Sequence, residues 1–464
     1  MPSSENDLNR PKTRKSAQLD LTQGSVPVML LRFSFPFMLS TLLQTLYSTT
    51  DTVIVGQVLG SRGLSSVANG SMLMQLIYLV CIGSAMSGQV LIAQAKGAGN
   101  YEKAQRVAGS LFVLEVVLSA IMTVIALIFA KPLLHLLNTP EEAVQQAYYY
   151  ILICGLGIIF TGLYNMYSAV LRGLGDSRHP LIFVAIAVVL NIFLDLLFVG
   201  VFHWKVAGAA LATVIGQAVS VIFSILYLTK HSREFNMDFN IRHQKTDKET
   251  MGLIAKMAVP LAIQSAAIHF SFLFVTALIN TQGLAVSAAF AVFGKLEQIP
   301  GVITQGLGLG TSSMIGQNFG AGKTDRVSKT VWFCILFTMI IMVAFGLFFG
   351  LMPEFSFRLF TQDETVLAYA GLGVAVILLQ VPARFVMGAC NSLITAIGYI
   401  KLSFIIAIID AFLGRVFICW LLGSALGLGT TGYFIGYGTG TYVTALLAFG
   451  YFLSGRWKKR KILV

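Results

Sequence analysis

Long apolar stretches, separated by short polar or glycine-rich turns, run from about residue 26 to residue 453. Twelve are marked, at about 26–58, 64–95, 107–130, 146–171, 180–201, 206–229, 251–280, 284–318, 327–351, 366–395, 401–422 and 428–453. Each reaches the roughly 20 residues that a helix needs to cross a bilayer. In lipid a segment must satisfy its backbone polar groups internally, so these runs predict an all-α polytopic membrane protein. The first and eighth runs are long enough to include kinks or interfacial turns. The first is no cleavable signal: it is too long, begins well into the chain and holds charges and a proline.

The pattern occurs twice, offset by about 223 residues. Phe35-Pro36 returns as Val259-Pro260, and Gly175 as Gly398. Ile92-Ala-Gln-Ala-Lys-Gly97-Ala98-Gly99 returns as Ile315-Gly-Gln-Asn-Phe-Gly320-Ala321-Gly322. Six spans per half bring the second half in from the same side, which makes the repeat parallel. The chain therefore divides into a mobile N-terminus (1–25), an N-lobe (26–230), a polar linker (231–250), a C-lobe (251–453) and a basic tail (454–464). The Gly-Ala-Gly elements follow no strand, so a phosphate-loop reading fails and a helix stop remains. Two related halves with a site where they meet are the mark of a secondary transporter.

Composition agrees with burial in lipid. The chain is 56% hydrophobic and 11% charged, with a mean hydropathy of +0.79; a soluble domain carries roughly a quarter charged residues. The net charge of +12 could suggest nucleic acid. Its distribution does not: with both termini inside, about 23 Lys and Arg fall on the inner side and about 4 (Arg62, Lys131, Lys205, Arg358) on the outer. This predicts a multi-pass plasma-membrane protein with both termini cytoplasmic and no nucleic-acid partner. Cys81, Cys154, Cys334, Cys390 and Cys419 lie inside spans without metal-like spacing and read as buried apolar residues.

Charges inside spans are expensive and need a reason. Second-half spans contain Lys295, Glu297, Arg384, Asp410 and Arg415, which can pair internally. First-half spans contain Asp51, Glu115 and Asp195, with Arg32 and Arg172 only near cytoplasmic ends. Those carboxylates must be protonated or must hold a cation. Asp51, Asp195 and Thr213 each fall roughly 9–11 Å below the outer face at 1.5 Å per residue. Asn191 shares a helix face with Asp195. Asp51, Asn191, Asp195 and Thr213 thus form a hard-oxygen site suited to Na⁺ or to a proton shared by two carboxylates. Otherwise, Asp51 and Asp195 only bond neighbouring helices. Glu115 sits at another depth and is left out; His269 is a proton carrier or a satisfied core residue. Pro36, on the helix of Asp51, removes one helical hydrogen bond and permits a hinge.

From about residue 26 to 453 the chain resembles the multidrug and toxic compound extrusion (MATE) transporters, most closely the DinF-like branch. The resemblance rests on Leu171-Arg-Gly-Leu-Gly-Asp-Ser-Arg-His-Pro180, Thr49-Thr-Asp51-Thr-Val, Asn191-Ile-Phe-Leu-Asp195 and Gly208-Ala-Ala-Leu-Ala-Thr213. It implies two six-helix bundles alternating between outward and inward openings. It also implies export of cationic or amphipathic compounds driven by H⁺ or Na⁺, with no other cofactor. Carried over, it gives Pro36 the hinge role and puts Gln44, Tyr150 and Asn165 around an N-lobe cavity. The NorM-like branch has an acid in span 7 where Ile268 and His269 stand here, so that branch's C-lobe cation site is not expected.

The expectation is a monomeric, cation-coupled antiporter in the lipid bilayer, acting on small cationic or amphipathic molecules. The alternative is a flippase for lipid-linked substrates, which would call for a basic cavity; the lysine-free, acidic N-lobe argues against it. A membrane enzyme would need a clustered metal site, which six scattered histidines do not supply. A channel would need a filter-like motif, and none is seen.

Overall fold

A computed structural model describes residues 18–136, 139–240 and 245–464. Ten helices are long and apolar enough to span a bilayer. They are α1 (Val26–Gly60), α2 (Arg62–Gly97), α3 (Tyr101–His135), α6 (Arg178–Val201), α7 (Lys205–Lys230), α8 (Lys248–Asn280), α9 (Leu284–Gly320), α10 (Thr324–Leu351), α11 (Glu364–Ala396) and α12 (Ile400–Ala425). The predicted fourth run is broken into α4 (Glu141–Leu156) and α5 (Ile158–Gly173), bent by 49°. The last run is α13 (Gly429–Leu453), rich in Gly, Thr and Tyr, and it packs on α11 and α12. Together these make twelve spans in two lobes. Gly60 separates α1 from α2 with φ 65°, a left-handed conformation that favours glycine.

Four helices, α1, α2, α8 and α9, bring the lobes into their closest backbone contact. A Cβ on Gly83 of α2 would lie 3.0 Å from the Ala258 carbonyl of α8, and one on Gly306 of α9 would lie 2.5 Å from Met38 Cα of α1. Those two glycines are repeat partners. Such close backbone approach is how small residues join helices in lipid. α1 and α8 are also shared between lobes. Leu30, Phe33 and Phe37 of α1 pack in a C-lobe core, while Ile254, Met257 and Leu261 of α8 pack in an N-lobe core.

At the end that carries both termini the lobes are locked. The helix stops fall where predicted, with Gly99 at φ 73° and Gly322 at φ 70°. Gly97 and Gly320 have a second role. A Cβ on Gly97 would lie 2.0 Å from the Gln317 carbonyl oxygen, and one on Gly320 would lie 2.1 Å from that of Gln94. The glutamine side chains complete the lock: Gln94 donates to the Ala396 carbonyl at 2.7 Å, and Gln317 to that of Gly173 at 2.8 Å. Gln94 Oε1 accepts from the Leu463 amide at 3.0 Å, and Gln317 Oε1 from that of Leu21 at 3.3 Å.

The N-terminal segment is thus less free than expected. Residues 1–17 lie outside the described residues, but Leu19 donates to Gly175 in one lobe while Leu21 is fully buried against the other. Arg326 and Lys323 also grip the carbonyls of residues 21–24. In the linker, Phe235, Met237 and Phe239 are buried in the N-lobe core, and Asp247 caps α8 by accepting from the Thr250 amide at 2.8 Å. Arg242 lies outside the described residues.

Candidate functional site: an acid pair beside an N-lobe cavity

α1 presents Gln44, Tyr47, Ser48 and Asp51 on one face, as spacings of three and four dictate. α6 is equally two-faced. Val189 and Phe193 are 70% and 61% exposed on its outer side, while Asn191 and Asp195 are buried on its inner side. Just beyond Asp195 the helix widens into a π-helical turn over Leu196–Val201, where the Phe202 amide donates to Leu197 at 2.8 Å. Such wide turns are rare and recur at functional sites.

These faces enclose a cavity of about 420 Å³. Gln44, Tyr150 and Asn165 all line it, as do Asp51, Asn191 and Thr213. Asp195 is fully buried and lies close enough to Asp51 for the two carboxylates to feel each other's charge. Two ionised carboxylates offer only acceptors, so the pair needs a proton or cation between them. Asp51 Oδ1, both oxygens of Asp195 and both polar side-chain atoms of Asn191 are buried without a hydrogen-bond partner. This oxygen set fits a proton or Na⁺. Among the described residues no group of three or more His, Cys, Asp or Glu is arranged for a metal ion.

Thr213 does not offer a free hydroxyl to the acids. It donates to the Ala209 carbonyl at 3.1 Å, and the Tyr47 hydroxyl meets it at 3.0 Å. Tyr47, one turn before Asp51 and in the field of both acids, is the residue that the sequence reasoning missed. The signal was its i, i+4 spacing to Asp51. Pro36 is buried at the lobe interface, and α1 stays helical through it.

The remaining intramembrane charges fall elsewhere. Glu115 is fully buried and accepts from Ser84, away from the acid pair. His269 Nδ1 contacts the Ser265 carbonyl on its own helix at 2.8 Å. In the C-lobe, Glu297 pairs with Arg384, and Asp410 with Arg415 at 3.0 Å. The Tyr437 hydroxyl donates to Glu297 at 3.3 Å and Thr444 to Asp410 at 3.1 Å. These acids are neutralised from within, as the charge census implied. Removing one partner strands the other. Arg384→Met is expected to cost about 3 kcal/mol, at the low end for a buried pair because Arg384 is 26% exposed. The double variant Glu297→Leu/Arg384→Met should recover most of that loss; thermal unfolding in detergent checks both.

The MatE family profile matches the chain twice, over residues 36–197 and 260–421, once per lobe. The chain is 28% identical over 448 residues to the "Probable multidrug resistance protein YpnP" of Bacillus subtilis, covering 96% of this chain and 98% of that one. It is 25% identical over 444 residues to the "Probable multidrug resistance protein NorM" of Thermotoga maritima, covering 94% of each. Among solved structures, "Crystal structure of MATE in the bent conformation" superposes with a TM-score of 0.87 at 23% identity, covering 95% of this chain and 98% of that chain. An outward-facing MATE structure superposes with a TM-score of 0.89 at 22% identity, covering 97% and 100%. Both share the fold. The twofold profile match, the two-lobed fold and the near full-length relatives together identify the chain as a member of the MATE family of membrane transporters.

Proposed function

We propose that this protein is a cation-coupled antiporter, driven by H⁺ or Na⁺, that exports cationic or amphipathic compounds by alternating access across the plasma membrane. The single observation that carries this reading is the buried Asp51–Asp195 pair, which has no basic partner among the described residues and whose Asp51 lines a cavity. Asp51, Asn191 and Asp195 hold the coupling ion, with Thr213 acting through Tyr47. Gln44, Tyr150 and Asn165 form the wall for substrate. When the pair is empty and negative it attracts a cationic substrate; when it takes its ion the attraction is lost. One site thus excludes simultaneous loading, which is what exchange requires. The relatives named as probable multidrug resistance proteins favour export of small drug-like molecules.

Alternation needs a seal that can open. The positive-inside bias makes the locked end cytoplasmic, so the closure at Gly97 and Gly320 corresponds to an outward-facing state. α1 is the coupling element. Its start packs with the C-lobe, its later turns carry Tyr47 and Asp51, and Pro36 lies near the changeover. Pro36→Ala is expected to slow turnover by roughly tenfold while substrate affinity stays within about twofold. Unchanged turnover in liposomes removes the hinge role.

The test is reconstitution in liposomes with a fluorescent cationic dye such as ethidium, under an imposed proton gradient and then a sodium gradient. Dye movement under one gradient, lost on dissipating it, is the expected result. No movement under either defeats the antiport reading. The flippase alternative has one observation in its favour, an arginine in the space between the lobes.

A further inference from the structure

A second cavity, of about 400 Å³, lies between the lobes. It adjoins the N-lobe cavity, sharing Gln44, Ile82, Tyr164 and Asn165 with it. The two are opposite in charge. The N-lobe cavity is lined by one acid, Asp51, and no Lys or Arg. Among the described residues the inter-lobe cavity is lined by one base, Arg172, and no Asp or Glu; its other polar walls are neutral amides and hydroxyls such as Gln264, Gln305 and Asn391.

Arg172 is held rather than neutralised. Its Nε donates to Gln89 Oε1 at 2.7 Å, and Gln89 Nε2 donates to Ser313 Oγ at 2.8 Å and to the Leu309 carbonyl at 3.2 Å across the interface. Among the described residues no carboxylate lies in ion-pair range of it. Arg172 lines the cavity, and among the described residues its two Nη groups have no protein acceptor. A guanidinium fixed through Nε presents these donors in a planar fork, the geometry that grips a carboxylate.

We infer that the inter-lobe cavity is an anion subsite and that the favoured substrates are amphipathic zwitterions, with the carboxylate on Arg172 and the cationic group toward Asp51. This rests on the export reading and narrows its substrate class. A purely cationic drug gains nothing at Arg172 and is repelled by it, whereas a zwitterion satisfies both cavities. Because the Arg172–Gln89–Ser313 chain joins the two lobes, the anion also sits on a contact that must change when they part.

The test uses the full-length protein in detergent and a matched pair of dyes: a rhodamine with a free carboxylate and its methyl ester. Wild type is expected to bind the free acid at least tenfold tighter. Arg172→Gln should erase that preference by weakening the acid about tenfold or more, with the ester within about twofold. Arg172→Lys, which keeps the charge, should retain part of it. Asn391→Asp, which leaves Arg172 intact, should also weaken the acid selectively, so the outcome does not hang on one variant. Equal losses for both dyes, or no preference in wild type, overturn the anion subsite; gradient-driven export of the ester would then still uphold the export reading. Binding of neither dye overturns both. Displacement of the acid by phosphatidylglycerol but not by soluble carboxylates would give the subsite to a lipid headgroup and overturn its assignment to substrate.

Discussion

Asp195→Asn is expected to abolish ion-driven transport and leave the fold intact or slightly firmer. Asp195 is fully buried, and neither of its oxygens has a hydrogen-bond donor. An isosteric amide keeps the volume and brings its own donors toward Asp51. It relieves part of the cost of an unsatisfied buried polar group, about 1–3 kcal/mol. The melting temperature should therefore hold or rise. What is lost is the second carboxylate that makes the pair a trap for one proton or one cation. Asp51→Asn should act alike on transport. Tyr47→Phe should act more weakly, because Tyr47 lies beside the acids and holds Thr213 but carries no charge of its own. Transport near the wild-type rate in both aspartate variants would remove the N-lobe from coupling.

The second large effect is expected where the lobes touch. A side chain at Gly97 meets the backbone of Gln317, and one at Gly320 meets that of Gln94. Backbone cannot swing aside, so the helices must part by about an ångström or more, and overpacking of this kind costs about 1–3 kcal/mol. Gly97→Leu should therefore destabilise the locked end and open the inter-lobe space to the side that bears the termini. Gly320→Leu should do the same by symmetry. A cysteine at Ser312, which lines the inter-lobe cavity, reports this opening. The five native cysteines are buried and leave a low background. Labelling by an impermeant maleimide from that side should rise at least tenfold in either variant, and transport should fall. Unchanged labelling would mean that these glycines do not form the seal.

Much of this was legible in the chain. Span-length apolar runs and the twofold repeat are strong signals because lipid permits few solutions. The sorting of acids is visible in the C-lobe, where Glu297 and Asp410 found arginines; Asp51 and Asp195 are buried and have no arginine or lysine in ion-pair range among the described residues. Helical spacing sufficed to put Asn191 and Asp195 on one inner face. Other features depend on approach between distant helices, which spacing does not encode. Gly97 and Gly320 read as helix stops, and only packing reveals them as lobe contacts. Gln94 and Gln317 are repeat partners, yet a glutamine before a turn reads as ordinary. The break at Gly157 was hidden among many helical glycines; its Cβ would lie 2.4 Å from Val214, a constraint set by another helix. Thr213 lines the same cavity as Asp51, but its hydroxyl is committed to Ala209 and Tyr47. Arg172 read as a basic group at a span end, and only the cavity beside it shows a guanidinium without an acid.

Coupling at the acid pair can be read by reversing the drive. Liposomes containing the wild-type protein are loaded with a cationic dye, with no ion gradient imposed, and the dye is allowed to run down its own gradient. Internal pH and radioactive sodium are followed together. Dye leaving in one direction is expected to drive H⁺ or Na⁺ in the other, and Asp51→Asn and Asp195→Asn are expected to lose this counterflow. Dye movement with no counterflow in wild type, or undiminished counterflow in both variants, would contradict a coupling site at the Asp51–Asp195 pair.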